Sequence, residues 1–337
     1  MPALADVCAM LYGQALQRPW FPKKDLSGKT IIVTGSNVGI GFEVVKHLIK
    51  LNISTVIIAC RDTKKGENAK VEIIKDLGCE GKVNIEVWEI DLLSNKSILA
   101  FGQRVRSELP RLDAFIANAG VELTHFSMAE GLEATLQVNV IGTFLSAIGV
   151  LPKLKETTTK HQTQTNITFV GSMYHIMPPP EQLNFPEGVD MFEALSDKGT
   201  ADMPQRYALS KLMIHQCAHE LARCVLEGQS DRTQQVIVNH VNPGWCETSL
   251  TRNKPEYPLP IRLIFKLIGW TAEEGSRVVV YAALAGSETH GHYISESQVK
   301  KESQFMRSEK GRETQRKVWD SLLNRIAMED PLALSYI

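Results

Sequence analysis

A glycine-rich turn constrains the fold of this chain more than any other feature. Thr34-Gly35-Ser36-Asn37-Val38-Gly39-Ile40-Gly41 follows a short apolar run, Thr30 to Thr34. It opens a stretch to Lys50 in which Phe42, Val45, Leu48 and Ile49 recur at helical spacing. A strand that turns into a helix through glycines lets the backbone approach a ligand closely. The first helical N–H groups and the helix dipole then favour an anion such as a pyrophosphate. The GxxxGxG spacing differs from the GxGxxG of many dinucleotide folds but serves the same geometry.

The rest of the chain keeps this rhythm. Buried strands are predicted at 55–60, 83–90, 112–117, 166–171 and 235–241, and helices at 63–76, 94–108, 130–155 and 206–227. Continuous β-branched runs alternating with amphipathic helices suit a parallel sheet covered on both faces. The predicted fold is α/β, a Rossmann-type doubly wound parallel sheet in one domain spanning 29–300. Residues 1–28 read as a leader segment, with Leu4, Val7, Cys8 and Leu11 at helical spacing before Pro19-Trp20-Phe21-Pro22. Residues 301–337 read as a charge-rich helical tail ending through Val318, Leu322, Leu323 and Ile326. Two stretches break the rhythm. The proline-rich 177–204 reads as a long surface excursion, and 252–270, with its apolar run Ile261 to Trp270, as a mobile lid over a substrate pocket.

Composition narrows the function. With 37 Lys+Arg against 38 Asp+Glu, the net charge of −1 argues against a nucleic-acid binder. Hydrophobic residues at 43% exclude a mostly disordered chain. No uninterrupted apolar run reaches the about 20 residues of a membrane span. The six cysteines form no CxxC pair, and Asp6 interrupts the first apolar stretch, so a reduced, cytoplasmic protein is expected. His215 and His219 are spaced i, i+4, but no third ligand accompanies them, and no metal site is assigned.

Cofactor choice turns on Cys60-Arg61-Asp62 at the end of the second strand. An acid there would hold a ribose 2′-OH, whereas Arg61 can pair with a 2′-phosphate. Arg61 favours NADP(H); a one-residue shift of register would restore Asp62 as the acid. Tyr207 and Lys211, four apart, share one helix face. A phenol ordinarily titrates near pH 10, and an adjacent ammonium favours its phenolate, which makes Tyr207 usable as an acid or base at neutral pH.

From about Lys29 to Ile294 the chain resembles the short-chain dehydrogenase/reductase family, retinol-dehydrogenase-like and fungal biosynthetic members above all. The nucleotide motif matches at Gly35, Gly39 and Gly41, and Asp91 beside Leu92 matches the acid that contacts adenine. Asn118-Ala119-Gly120 matches the motif ending the fourth strand, and Asn139 the active-site helix asparagine. Ser172 matches the catalytic serine, Tyr207 and Lys211 the YxxxK pair, and Pro243-Gly244 with Thr248 the segment near the nicotinamide. The resemblance implies that Ser172 holds a substrate carbonyl, Lys211 also holds the nicotinamide ribose, and Asn139 holds a relay water. It further implies homo-oligomer interfaces on the helices around 130–155 and 206–227. Two departures stand out: 34 residues separate Ser172 from Tyr207, and Val38 replaces the basic residue that many NADP-preferring members carry. Trp245 and Cys246 either touch cofactor or substrate or simply pack. The expected activity is NADP(H)-dependent interconversion of a carbonyl and an alcohol on an apolar substrate. A membrane-docked retinol or steroid dehydrogenase and a non-catalytic nucleotide-binding scaffold are the alternatives.

Overall fold

The computed structural model describes residues 2–186, 188–227, 235–246 and 266–337. After a leader helix, α1 (Leu4–Leu16), the chain builds β1 (Thr30–Thr34), α2 (Gly39–Lys50), β2 (Thr55–Cys60), α3 (Thr63–Leu77), β3 (Asn84–Glu89), α4 (Asn95–Glu108) and β4 (Ala114–Ala117). A small hairpin, β5 (Met128–Ala129) and β6 (Leu132–Glu133), leads into α5 (Ala134–Leu136), a π-helical turn at Gln137–Gly142, and α6 (Thr143–His161). Then follow β7 (Thr165–Val170), α7 (Met191–Leu195), α8 (Met203–Glu227), β8 (Val236–Asn242) and α9 (Ala272–Leu284). The strands β9 (Tyr293–Ser295) and β10 (Gln298–Lys300) precede α10 (Gln304–Arg307) and α11 (Glu309–Glu329).

Eight strands form one sheet in the order β10-β9-β8-β7-β4-β1-β2-β3, parallel except for β10. Order reverses between β1 and β4, and in a doubly wound sheet ligands bind in the crevice at that switch point. Side chains alternate across the sheet as a two-residue period requires. Ile31 and Val33 join one core cluster with Val44 and Leu48 of α2 and Val278 to Val280 of α9. Ile32 joins the other with Phe144 of α6 and Phe169 of β7, whose rings stack at 4.4 Å. Each fully buried side chain of this kind contributes about 1.5–3 kcal/mol.

The tail enters this second cluster through Val318, Trp319, Leu322 and Ile326 of α11. The expected surface excursion is partly core as well. Leu183, Met191, Phe192 and Leu195 are buried in it, and Arg325 of α11 grips Asp190 at 2.7 Å. Its prolines hid an apolar spacing of the ordinary kind. The helical stretch 134–161 is long and apolar enough to cross a membrane, yet its whole apolar window is buried inside the protein. Of the expected lid, only 266–270 is among the described residues; Thr248 and Ile261 to Phe265 lie outside them. Leu267 is 78% exposed, whereas Trp270 is buried.

Candidate active site

The turn after β1 is built of bare backbone. Gly35 and Gly39 take φ of +65° and +62°, a region that glycine enters without steric cost. A Cβ at Gly35 would lie 2.8 Å from Ala119 Cα, and one at Gly41 2.5 Å from Asn118 Nδ2 and 2.8 Å from the Gly35 carbonyl oxygen. No side chain fits at either position. Ser36 is buried and donates its hydroxyl to the Val33 carbonyl at 2.7 Å. Asn37 and Ile40 are half-buried, and Val38 is exposed beside them. Thr34 ties the two sides of the switch point together. Its Oγ1 accepts the N–H groups of Asn118 and Ala119, each at 3.0 Å, and its carbonyl accepts Asn118 Nδ2 at 2.8 Å.

At the end of β2, Cys60 is buried in the core while Arg61 stands exposed. The rival acid is committed elsewhere, because Asp62 caps α3 by accepting the Lys65 N–H at 3.1 Å. At the end of β3, Asp91 accepts the Leu93 N–H at 3.0 Å in a local turn, and buried Leu92 offers its carbonyl to Gln137.

Four further residues meet at the strand ends. Asn139 lies in the π-helical turn, a distortion often found at functional sites. It is fully buried, accepting the Val121 N–H at 2.8 Å and donating to the Val121 carbonyl and to Ser210, each at 2.9 Å. Tyr207 and Lys211 lie one turn apart on α8, with Nζ 5.6 Å from the phenol ring centre. Lys211 is buried and donates to the Val170 carbonyl at 2.8 Å. Burial pushes its ammonium down to about 8, with the Glu122 carboxylate opposing. A Cβ at Gly120 would sit 3.2 Å from Asn139 Oδ1 and 3.6 Å from Lys211 Nζ, so the three residues converge. Ser172 follows β7, and its Oγ accepts the Tyr174 N–H at 3.2 Å, leaving its own proton available to a neighbour. The Tyr174 ring meets that of Tyr207 edge-on at 6.2 Å.

The segment after β8 is pinned from a distance. Gly244 takes φ +79° and donates to Asn242 Oδ1 at 3.0 Å; a Cβ there would lie 2.4 Å from the Trp270 ring. Gln14 of the leader accepts the Trp245 N–H at 2.7 Å and donates to the Ile268 carbonyl at 2.8 Å. Its own carbonyl accepts Trp270 Nε1 at 3.0 Å. Cys246 packs rather than reaching outward: its Sγ donates to the Pro243 carbonyl, and burial pushes the thiol up to about 12. All six cysteines are free.

Sequence reasoning passed over Gln14, which carries no local signal. His240, set aside in the sequence with the other histidines for want of metal spacing, has its Nδ1 2.5 Å from His215 Nδ1. Two nitrogens on one tetrahedral zinc stand about 3.3 Å apart, from Zn–N bonds of about 2.0–2.1 Å, so this pair is hydrogen-bonded and not metal-bridged. His219 instead faces Gln315 at 3.2 Å.

Known proteins share both the sequence pattern and the fold of this chain. The family model for short chain dehydrogenases matches residues 29–185. A short chain dehydrogenase/reductase of Cryptosporiopsis sp., dmxR8, is 37% identical over 320 residues, 94% of this chain and 96% of its own. The short-chain dehydrogenase anuD of Penicillium roqueforti is 34% identical, covering 98% of this chain and 85% of its own. Among solved structures, the Pseudomonas aeruginosa RhlG/NADP active-site complex superposes with a TM-score of 0.59 at 20% identity, covering 82% of this chain and 97% of that one. A Shigella flexneri short chain dehydrogenase complexed with NADP gives 0.56 at 21% identity, covering 82% and 100%. At such identities the structures speak for the fold, and the fungal relatives, aligned nearly end to end, speak for descent. This chain belongs to the short-chain dehydrogenase/reductase family of oxidoreductases.

Proposed function

We propose that the protein is an NADP(H)-dependent carbonyl reductase or alcohol dehydrogenase for a medium-sized apolar substrate, in the manner of a ketoreductase acting on a polyketide- or terpenoid-like carbonyl. The observation that carries this reading is the convergence of Lys211, Asn139 and Gly120 one helical turn from Tyr207, beyond the bare-backbone cradle at Gly35 and Gly41. The cradle suits a pyrophosphate, and exposed Arg61, with Asp62 occupied as a cap, suits a 2′-phosphate. When bound, NADPH supplies the hydride that a carbonyl carbon accepts. Tyr207 delivers the proton to the carbonyl oxygen, or removes it from the alcohol in reverse. Lys211 places a positive charge beside the phenol, Ser172 donates its hydroxyl to the same oxygen, and Asn139, bonded to Ser210, braces the turn of α8 that carries Tyr207 and Lys211. Two relatives of fungal origin and two NADP complexes of the same fold support the reading.

The test is NADPH consumption against a panel of aromatic and polycyclic ketones, run in both directions. Turnover of at least one class is expected. Tight NADPH binding without turnover of any carbonyl or alcohol would replace the reading with a non-catalytic nucleotide-binding scaffold. Cofactor choice has its own check. Arg61→Ala should weaken NADPH binding by about 10- to 150-fold, the loss of a hydrogen bond to a charged group, and leave NADH binding unchanged. Equal affinity of the unaltered protein for both cofactors in a fluorescence titration would refute the role of Arg61.

A further inference from the structure

Behind Ser172 lies a buried row of imidazoles that the reaction above does not use. The Ser172 N–H donates to His215 Nε2 at 3.3 Å, and His175 Nδ1 lies 2.8 Å from the Ser172 carbonyl. His215 Nδ1 meets His240 Nδ1 at 2.5 Å. His240 Nε2 faces Glu302 Oε1 at 3.5 Å, and among the described residues neither of those two buried atoms has another hydrogen-bond partner. All three histidines are buried, with the Tyr293 ring 5.3–5.9 Å from each. Gly171 makes the room, since a Cβ there would fall 2.2 Å from His215 Nε2.

The proton arrangement of this row follows from counting donors. A nitrogen that accepts the Ser172 N–H carries no proton, so a neutral His215 is protonated on Nδ1 and donates from it. His240 then accepts on Nδ1 and carries its proton on Nε2, pointing at the Glu302 carboxylate. Burial keeps His215 and His175 neutral, lowering His215 well below the ordinary imidazole range and His175 to about 4. Burial opposes ionisation of Glu302, but the hydrogen bond from His240 works against it and the carboxyl stays below its ordinary value. The opposite polarity needs one more proton on the His240–Glu302 pair. It would turn His215 Nε2 into a donor towards the Ser172 carbonyl, 3.4 Å away, and release the Ser172 N–H.

We infer that Glu302, through His240 and His215, is a positioning device that sets which main-chain group of Ser172 is held and so aims the Ser172 hydroxyl at the substrate carbonyl. This rests on the carbonyl reductase reading, in which Ser172 touches that oxygen. The other titratable groups facing the row are Lys211 and His219 on α8, His175, Asp6 of α1, Tyr293 on β9, and Glu296 just after it.

The test combines nitrogen-resolved histidine NMR of the full chain with kinetics of Glu302 variants. At neutral pH, His215 should be protonated on Nδ1 and His240 on Nε2. Glu302→Leu, similar in volume but without an acceptor, should disturb that pattern, shift the acid limb of the pH profile and lower kcat. The fall should be about tenfold to a hundredfold, the scale of a misaimed group, with NADPH affinity unchanged. Glu302→Gln keeps an acceptor for His240 Nε2 and should bring kcat back to within about threefold. A wild-type His215 protonated on Nε2, or a folded Glu302→Leu enzyme with wild-type kcat and pH profile, overturns the inference. If Ser172→Ala leaves turnover intact, the role of Ser172 in the reaction is what fails, and the tautomer pattern still decides the imidazole row by itself.

Discussion

Tyr207→Phe should fold normally, bind NADPH as before and lose turnover by about 10²- to 10⁴-fold, the range for removing a positioned acid. The ring is buried and meets Tyr174 edge-on at 6.2 Å, and phenylalanine keeps that packing while deleting the oxygen. Lys211→Met should be comparably damaging for a separate reason. Lys211 is buried, and its hydrogen bond to the Val170 carbonyl holds the ammonium one turn below the phenol. Burial has already lowered it to about 8, so its charge is fully present only below that pH. Reductive turnover should therefore decline as pH rises through about 8, and in Lys211→Met this limb should disappear. A Tyr207→Phe protein with near-normal rates would require another acid and end the assignment.

Glu133→Ala should be the most destabilising single change away from the chemistry, costing about 3–5 kcal/mol. Glu133 is fully buried 3.5 Å from Arg206, which is itself 2% exposed. Its other oxygen accepts the N–H and hydroxyl of Thr135, both at 2.9 Å, capping the helical run that carries Asn139. Alanine strands a buried guanidinium and uncaps that run together. The melting temperature should fall by roughly 5–15 °C. Adding Arg206→Met should recover the larger part of the loss, that of the stranded charge, and leave the part due to the lost cap. A single variant within about 1 kcal/mol of the parent in calorimetry would mean that water replaces the pair.

Much of this architecture was legible because the chemistry is local. The glycine turn declares itself by spacing, and Tyr207 and Lys211 by a single helical turn. The inner strands β1, β2, β7 and β8 announce themselves as continuous β-branched runs, since both of their faces are covered. Where the reading failed, either the signal was short or the partners were remote. Strands β9 and β10 are three residues each, below what periodicity can register. Helix α9 was passed over because Val278-Val-Val-Tyr281 resembles a strand, although its capping box at Thr271 and Glu274 was in plain sight. The imidazole row joins positions 172, 215, 240 and 302 from four separate elements. No spacing rule connects them until the sheet does.

The grip of Gln14 also sets an order in time. Its partner Trp270 lies 256 positions later in the chain. At synthesis rates of about 5–20 residues per second, roughly 13–50 s pass between translation of the glutamine and of the tryptophan that receives it. Throughout that interval α1 lacks its Ile268 and Trp270 partners, and its Leu4, Leu11 and Leu16, exposed even in the finished protein, are open to other chains. Helix α1 is thus among the last elements to settle. A nascent chain halted before residue 270 should show α1 more open to protease than it is in the full chain.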